Sequence, residues 1–136
     1  MKINFDEGLC KISDLEEFDP KDIFTCGQAF RWNEEEDGSF TFVTHGIVAN
    51  AKKVGDEIIL KGVDEKSFED IFYDYFDLSR DYKLVMEELA QDEIMKDATD
   101  YGKGIRILNQ DKFETIISFI ISANNNIKRI KNSIRD

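Results

Sequence analysis

The stretch SFTFVTHGIVANAKKVGDEIILK, residues 39–61, decides the fold. Phe40 and Phe42 fall on one face with period two, the signature of a half-buried strand. Gly46 punctuates, Ile47–Val54 continues extended, Gly55-Asp56 turns, and Glu57–Lys61 is a further strand. Upstream, Phe30, Trp32 and their neighbours read as a strand. Asn33–Gly38, with consecutive acids and an Asp-Gly pair, reads as a solvated hairpin loop. Three or four antiparallel strands are therefore expected here. Further upstream, Ile3, Phe5, Leu9 and Ile12 alternate loosely, as one or two short strands or an extended arm would. Asp19-Pro20 writes a helix start, with Asp19 as cap and Pro20 at the first helical position. Gly27 keeps that helix short.

Downstream of Asp64 the period becomes helical. Phe68, Ile71, Phe72, Tyr75 and Phe76 form an i, i+3, i+4, i+7, i+8 stripe with acids opposite. Leu84, Val85 and Leu89 predict a second helix and Glu93–Tyr101 a third, before Gly102 and Gly104 end the region. Phe113, Ile116, Ile117, Phe119, Ile120 and Ile121 then cover nearly the whole circumference of a helix over Asp111–Ala123. Such a helix belongs inside a larger structure. Ile127–Ile134 predicts a last, basic helix. The expected fold class is α+β: an antiparallel sheet with packed helices over residues 1–102, then the first helices of an incomplete all-α domain over 103–136.

The charge follows that division. The chain has 136 residues and a net charge of −11, which at face value argues against nucleic acid. Residues 103–136, however, hold seven bases against three acids, a balance of +4, which leaves −15 on the rest. A 41% hydrophobic, 35% charged composition is globular, neither disordered nor membrane-like. No apolar run approaches the ~18–20 residues of a spanning helix. The N-terminus lacks the apolar core of a secretory signal. Cys10 and Cys26 are read as reduced thiols of a cytoplasmic protein. One histidine and scattered acids make no metal site, and no cofactor is implied. His45 sits in a strand or turn reading without a triad signature, and no phosphate-binding glycine motif is present.

Two stretches rise above this background. In Thr25-Cys26-Gly27-Gln28-Ala29-Phe30-Arg31-Trp32, Gly27 reads most simply as a helix stop. It would equally let backbone approach a flat ligand, with a carbonyl free to accept a hydrogen bond. In Ser122-Ala123-Asn124-Asn125-Asn126-Ile127-Lys128-Arg129-Ile130, three amides lie between an apolar helix and a basic one. They read as a turn with an Asn cap, or as a nucleic-acid contact in which Asn replaces a base's hydrogen bonds and the bases meet phosphate.

Taken together with Tyr75-Phe76-Asp77-Leu78 and Gly104-Ile105-Arg106-Ile107-Leu108-Asn109-Gln110-Asp111, these stretches resemble the 8-oxoguanine DNA glycosylases of the helix-hairpin-helix superfamily. Order and spacing agree, and the resemblance covers essentially the whole chain. It implies an N-terminal sheet domain like half of a TATA-box-binding-protein fold, followed by a helical domain. It implies damaged double-stranded DNA as partner, and flipping and excision of 8-oxoguanine in base excision repair, with AP lyase activity in bifunctional members. It implies that Gly27 offers its carbonyl to the N7–H that 8-oxoguanine has and guanine lacks. Asn124 would fill the gap left in the base stack, Arg129 would contact the orphaned cytosine, and Asn126 would belong to the same DNA-binding segment. The residue chemistry agrees: a net hydrogen bond is worth only ~1 kcal/mol, but opposing two lone pairs costs more, and that asymmetry makes the choice.

The family's nucleophilic lysine and its partner aspartate match no position here. Lys128 and Lys131 follow the Asn triplet directly and do not correspond. The chain thus reads as the front part of such an enzyme, with no catalytic residue of its own and inactive alone. The uncovered 113–121 helix is expected to drive self-association or a domain swap. Two alternatives stand beside this: another helix-hairpin-helix glycosylase of alkylpurine type, and a non-catalytic α+β DNA- or protein-binding module.

Overall fold

The computed structural model describes residues 1–135. Strands β1 (Lys2–Asp6), β2 (Leu9–Ser13), β3 (Trp32–Glu34), β4 (Phe40–Thr44), β5 (Ile47–Val54) and β6 (Glu57–Lys61) form one six-stranded antiparallel sheet. Its order is β1-β2-β6-β5-β4-β3. The N-terminal residues thus supply two full strands, and the 39–61 stretch supplies three consecutive antiparallel strands. The strand around Trp32 is shorter than its sequence suggests. It begins at Trp32 and excludes Phe30, although the Arg31 carbonyl still accepts from Val43 N–H at 3.0 Å.

One face of the sheet is apolar because the alternation is kept in register. Cys10, Leu60, Ala51 and Phe40 stand opposite one another across β2, β6, β5 and β4, and all are buried. The intervening Lys11, Ile59, Lys52 and Thr41 face the other side, the usual division of a one-sided antiparallel sheet. Burial pushes the Cys10 thiol up to about 11, so it behaves as a small core hydrophobe.

Helix α1 (Pro20–Thr25) is built as its sequence predicts. Asp19 accepts from Lys21 N–H at 2.9 Å and Pro20 opens the first turn. Its Phe24 lands on the small side chains of β5 and against Phe42, 4.8 Å between ring centroids. The second layer continues with α2 (Glu65–Ser67), which passes through a π-helical turn (Phe68–Phe72) into α3 (Tyr73–Tyr75). Tyr73 N–H reaches back five residues to the Phe68 carbonyl. The extra residue in that turn does not destroy the apolar stripe, since Phe68, Phe72, Tyr75 and Phe76 are all buried. Phe42 is the hub: besides Phe24 it meets Phe72, Tyr75 and Phe76 at 5.7–6.2 Å. Each buried ring contributes both area and ring-to-ring contact, so this cluster holds the sheet to its helical layer.

Helices α4 (Tyr82–Leu89), α5 (Glu93–Tyr101), α6 (Lys112–Ser122) and α7 (Ile127–Arg135) follow. Asp81, Asp92 and Asp111 cap α4, α5 and α6 in turn. Between α5 and α6 runs an extended strap, residues 104–110, that returns across the body. Its centre is Arg106, 1% exposed. The guanidinium donates to the carbonyls of Phe76 (2.9 Å), Glu17 (2.8 Å), Asp77 (2.9 Å) and Arg80 (3.2 Å), and lies 4.1 Å from the centre of the Tyr82 ring. Burial lowers its pKa, while Tyr82, Asp77 and Glu17 oppose the shift. Four carbonyl dipoles and a π face thus replace the water that a buried cation loses.

Replacing Arg106 by Met removes that charge and leaves four carbonyls short of a donor. The expected loss is about 3–5 kcal/mol of folding stability, read as a lowered urea midpoint. A midpoint equal to that of the parent chain counts against the strap as a clamp.

Candidate nucleic-acid interface

The residues singled out in the sequence sit at two places, the end of α1, tied to the strap, and the α6–α7 turn, held on the sheet edge. Gly27 follows the last turn of α1 with φ +89, in the left-handed region that favours glycine. It therefore does act as a helix stop. It is also exposed, and a Cβ built there meets nothing within 4 Å. The space above this backbone is open to a ligand. Gln28, beside it, is fully engaged. Its amide N–H groups donate to Ile23 O (3.1 Å) and Arg106 O (2.7 Å), its Oε1 accepts from Leu108 N–H (2.9 Å), and its own carbonyl accepts from Gln110 Nε2 (2.6 Å). Gln28 ties the end of α1 to the strap and so fixes the Gly27 peptide.

The Asn triplet resolves into three different roles. Asn124 adopts φ +51, breaking the path between α6 and α7. It is exposed, and its side chain has no hydrogen-bond partner among the described residues. Asn125 closes α6 by donating to Ile121 O at 3.1 Å. Asn126 opens α7, its Oδ1 accepting from Arg129 N–H at 3.1 Å. The capping reading of this turn is borne out at Asn126, and Asn124 is the amide without a hydrogen-bond partner among the described residues. Arg129 and Lys128 point into solvent with no ion-pair partner among the described residues. The α6–α7 pair leans on the sheet edge through Arg31–Glu114 (3.2 Å), a half-exposed ion pair of small worth, and through Lys131 on Trp32. Between the two lies a groove of about 780 Å³, lined by Trp32, Val43, Ile117, Ile121 and Ile134 among others.

Helix α6 keeps its apolar face bare. Phe113 is 74% exposed and Phe119 75%, with Ile116 and Ile120 also exposed. His45 is placed in the β4–β5 turn with φ +50, its Nδ1 2.8 Å from Thr44 Oγ1, and it lies in no cleft with a nucleophile. No group of three or more His, Cys, Asp or Glu among the described residues is placed to hold a metal ion. No helix there is long and apolar enough to cross a membrane. Cys10 is buried and Cys26 exposed, and both are free.

Three functional supports escaped the sequence reading: Gln28, Arg106 and Lys131. Gln28 and Arg106 were visible only as members of motifs, and Lys131 only as a base that matches no catalytic lysine. The available signal was Arg106 set among Ile105, Ile107 and Leu108, since a base inside an apolar run is a candidate for burial.

Known proteins share this arrangement. The sequence model of a family described as 8-oxoguanine DNA glycosylase, N-terminal domain, matches residues 12–116. MBOgg1, solved in complex with a low-affinity DNA ligand, is 45% identical with a TM-score of 0.91, over 96% of this chain and 45% of that one. The Clostridium acetobutylicum 8-oxoguanine glycosylase/lyase in its apo form is 41% identical with a TM-score of 0.91, over 95% of this chain and 45% of that one. The same enzyme, in complex with double-stranded DNA containing cytosine opposite 8-oxoG, is 40% identical with a TM-score of 0.92, over 96% and 45%. The chain spans less than half the length of each of these structures.

Two outcomes follow from the geometry. Gly27→Ala meets no steric barrier but must hold a left-handed backbone, so it costs about 1–2 kcal/mol in thermal or urea unfolding without loss of the fold. A larger loss, or none, would refute the assigned conformation. The bare face of α6 drives association: light scattering gives a mass above the 15.8 kDa of one chain. Phe113→Glu combined with Phe119→Glu returns it toward that value, and a monomeric parent chain would argue the reverse.

Proposed function

Because the chain belongs to the 8-oxoguanine DNA glycosylase N-terminal-domain family, we propose that it supplies the lesion-reading and helix-distorting elements of an enzyme that removes 8-oxoguanine from duplex DNA, in cytoplasmic base excision repair. The observation that carries this is the turn at Asn124. A left-handed, exposed, unpartnered amide stands beside a helix whose Arg129 is also unpartnered. A small polar wedge next to a bidentate cation is what a stack opened by base flipping needs.

The proposed roles follow from the geometry. Gly27 offers backbone to the flipped base at a point where no side chain intrudes. Its carbonyl accepts a hydrogen bond from the N7–H of 8-oxoguanine and meets only a lone pair in guanine, so the undamaged base is refused by an unfavourable contact rather than merely by a missing one. Asn124 enters the vacated stack and Arg129 reads the orphaned base. Asn126 serves this segment by starting α7 with its oxygen, which leaves its amide hydrogens available to DNA. Functionally the chain divides into residues 1–102, which carry Gly27, and 103–136, which carry the DNA-contacting turn. Excision needs a nucleophile beyond those assigned here. Lys131 is engaged with Trp32, and Lys128 is exposed with no ion-pair partner among the described residues.

The test is duplex binding by fluorescence anisotropy at low salt, with 8-oxoguanine opposite cytosine in one duplex and guanine in the other. Weak, salt-sensitive binding is expected, and Asn124→Ala and Arg129→Ala each weaken it by about 1–3 kcal/mol. Borohydride treatment of the complex traps no covalent adduct. A trapped adduct would place a nucleophile in this chain, and variants that bind like the parent would remove Asn124 and Arg129 from the interface.

A further inference from the structure

Helix α7 meets the sheet body through one notable contact. The ammonium of Lys131 donates to the Trp32 carbonyl at 2.5 Å and sits 3.8 Å from the centre of the Trp32 ring. The ring is itself held, because Trp32 Nε1 donates to Ala29 O at 2.8 Å and the indole leans on Phe40 at 5.8 Å. β3 is the outer strand of the sheet, so the carbonyl that Lys131 takes belongs to the sheet's edge. Burial lowers the pKa of Lys131, in keeping with an ammonium lifted partly out of water. The other charged groups lining this groove are spoken for. Arg31 pairs with Glu114, Asp111 caps α6, and Arg135 lies on the same helix.

The helical period gives this contact a consequence. At 3.6 residues per turn, Arg129 lies about 160° round the helix from Lys131. Turning Lys131 onto Trp32 therefore turns Arg129 outward. The contact also joins the two halves of the proposed interface by a short route. Trp32 ends the segment that begins at Gly27, and Lys131 lies two residues beyond Arg129.

We propose that Lys131 is a positioning residue: clamped on Trp32, it sets the rotation of α7 on the sheet edge and so holds Asn124 and Arg129 in register with Gly27. This rests on the duplex-binding function proposed above. Lys131 itself touches no phosphate, and its charge is spent within the protein.

Trp32 is the only tryptophan in the chain, so its fluorescence reports the contact directly. Lys131→Met is expected to shift Trp32 emission and raise its quenching by acrylamide. Lys131→Arg, which keeps a cation over the ring, stays close to the parent. Lys128→Met, on the same helix but away from Trp32, leaves emission unchanged. In duplex binding, Lys131→Met weakens affinity about 5-fold, and Lys131→Arg restores it to within about 2-fold. The salt dependence separates the two lysines: the logarithmic slope of binding against salt is unchanged in Lys131→Met and falls by about 1 in Lys128→Met. Circular dichroism melts of all three variants identify any that fail to fold, and the Lys131→Arg comparison then stands in for Lys131→Met. Unchanged affinity in Lys131→Met, or a salt slope reduced as in Lys128→Met, overturns the positioning role while leaving the duplex-binding function intact. Absence of duplex binding by the parent chain, with the emission shift still present, overturns the duplex-binding function itself and the positioning role with it.

Discussion

The burial of one guanidinium governs how this chain is assembled. Arg106 gathers carbonyls from the segment before α1 and from the turns after α3, and it stacks on the first residue of α4. These segments are far apart in sequence and share no strand pairing. A planar cation with five donors can satisfy all four carbonyls and still stack on a ring, which no apolar residue and no three-donor lysine could do. With Arg106 seated, the strap passes beside the end of α1, where the Gln28 side chain binds it by two hydrogen bonds, a third comes from Gln110, and Gln28 also donates back to Ile23 O in α1. The exposed glycine peptide is thus held by its neighbour's side chain, not by its own contacts. That arrangement suits a site whose recognising group is a backbone carbonyl: the support lies behind, and the front stays clear.

The distribution of charge takes on a different meaning once the side chains are placed. Part of the acidity is structural. Asp19, Asp64, Asp81, Asp92 and Asp111 each accept a backbone N–H at the start of a helix. The excess of bases after residue 103 is likewise only partly available. Arg106 is inside, Lys103 pairs with Glu16 at 3.3 Å, and Lys131 lies on Trp32. What faces solvent unpaired on α7 is Lys128 and Arg129, next to Asn124. The interface is therefore narrow. In the proposed function, a basic edge on a chain of net charge −11 would favour DNA approach through that edge.

Elements whose cause is local were legible in the sequence. Phe40 and Phe42 declared a strand by period, Asp19-Pro20 declared a helix start by capping chemistry, and the circumference of α6 declared an uncovered helix. Gly27 as a helix stop and an Asn cap before α7 were both readable, since the need for a left-handed residue or an N-terminal acceptor depends on the next few residues only. The shortening of β3 and the π turn at Phe68–Phe72 were not readable. The first depends on how the chain leaves the end of α1, and the second is a one-residue change of backbone spacing that keeps the same apolar residues inside. The roles of Gln28, Arg106 and Lys131 were hidden for the same reason. Each acts across 78 residues or more or binds carbonyls, and a carbonyl leaves no mark in the sequence.

The two supports of the interface differ in strength, and that difference bears on how the site works. The strap is held by the four charge-assisted hydrogen bonds of Arg106 and by the neutral ones that join it to Gln28. The α6–α7 pair is held to the sheet by a half-exposed ion pair and by Lys131, which donates to the Trp32 carbonyl and sits over its ring, while the apolar face of α6 is largely exposed. Contacts of that size are worth about 1 kcal/mol each, comparable to what one phosphate or base contact supplies. In the proposed complex, a DNA contact of that size would therefore compete with the sheet edge for the orientation of α7, whereas the Gly27 peptide is held through the hydrogen bonds of Gln28 to the strap. In the proposed function, that pairing would let the Asn124 turn follow a deforming duplex while the Gly27 carbonyl stays fixed, so that selectivity would be retained through the distortion that flipping requires.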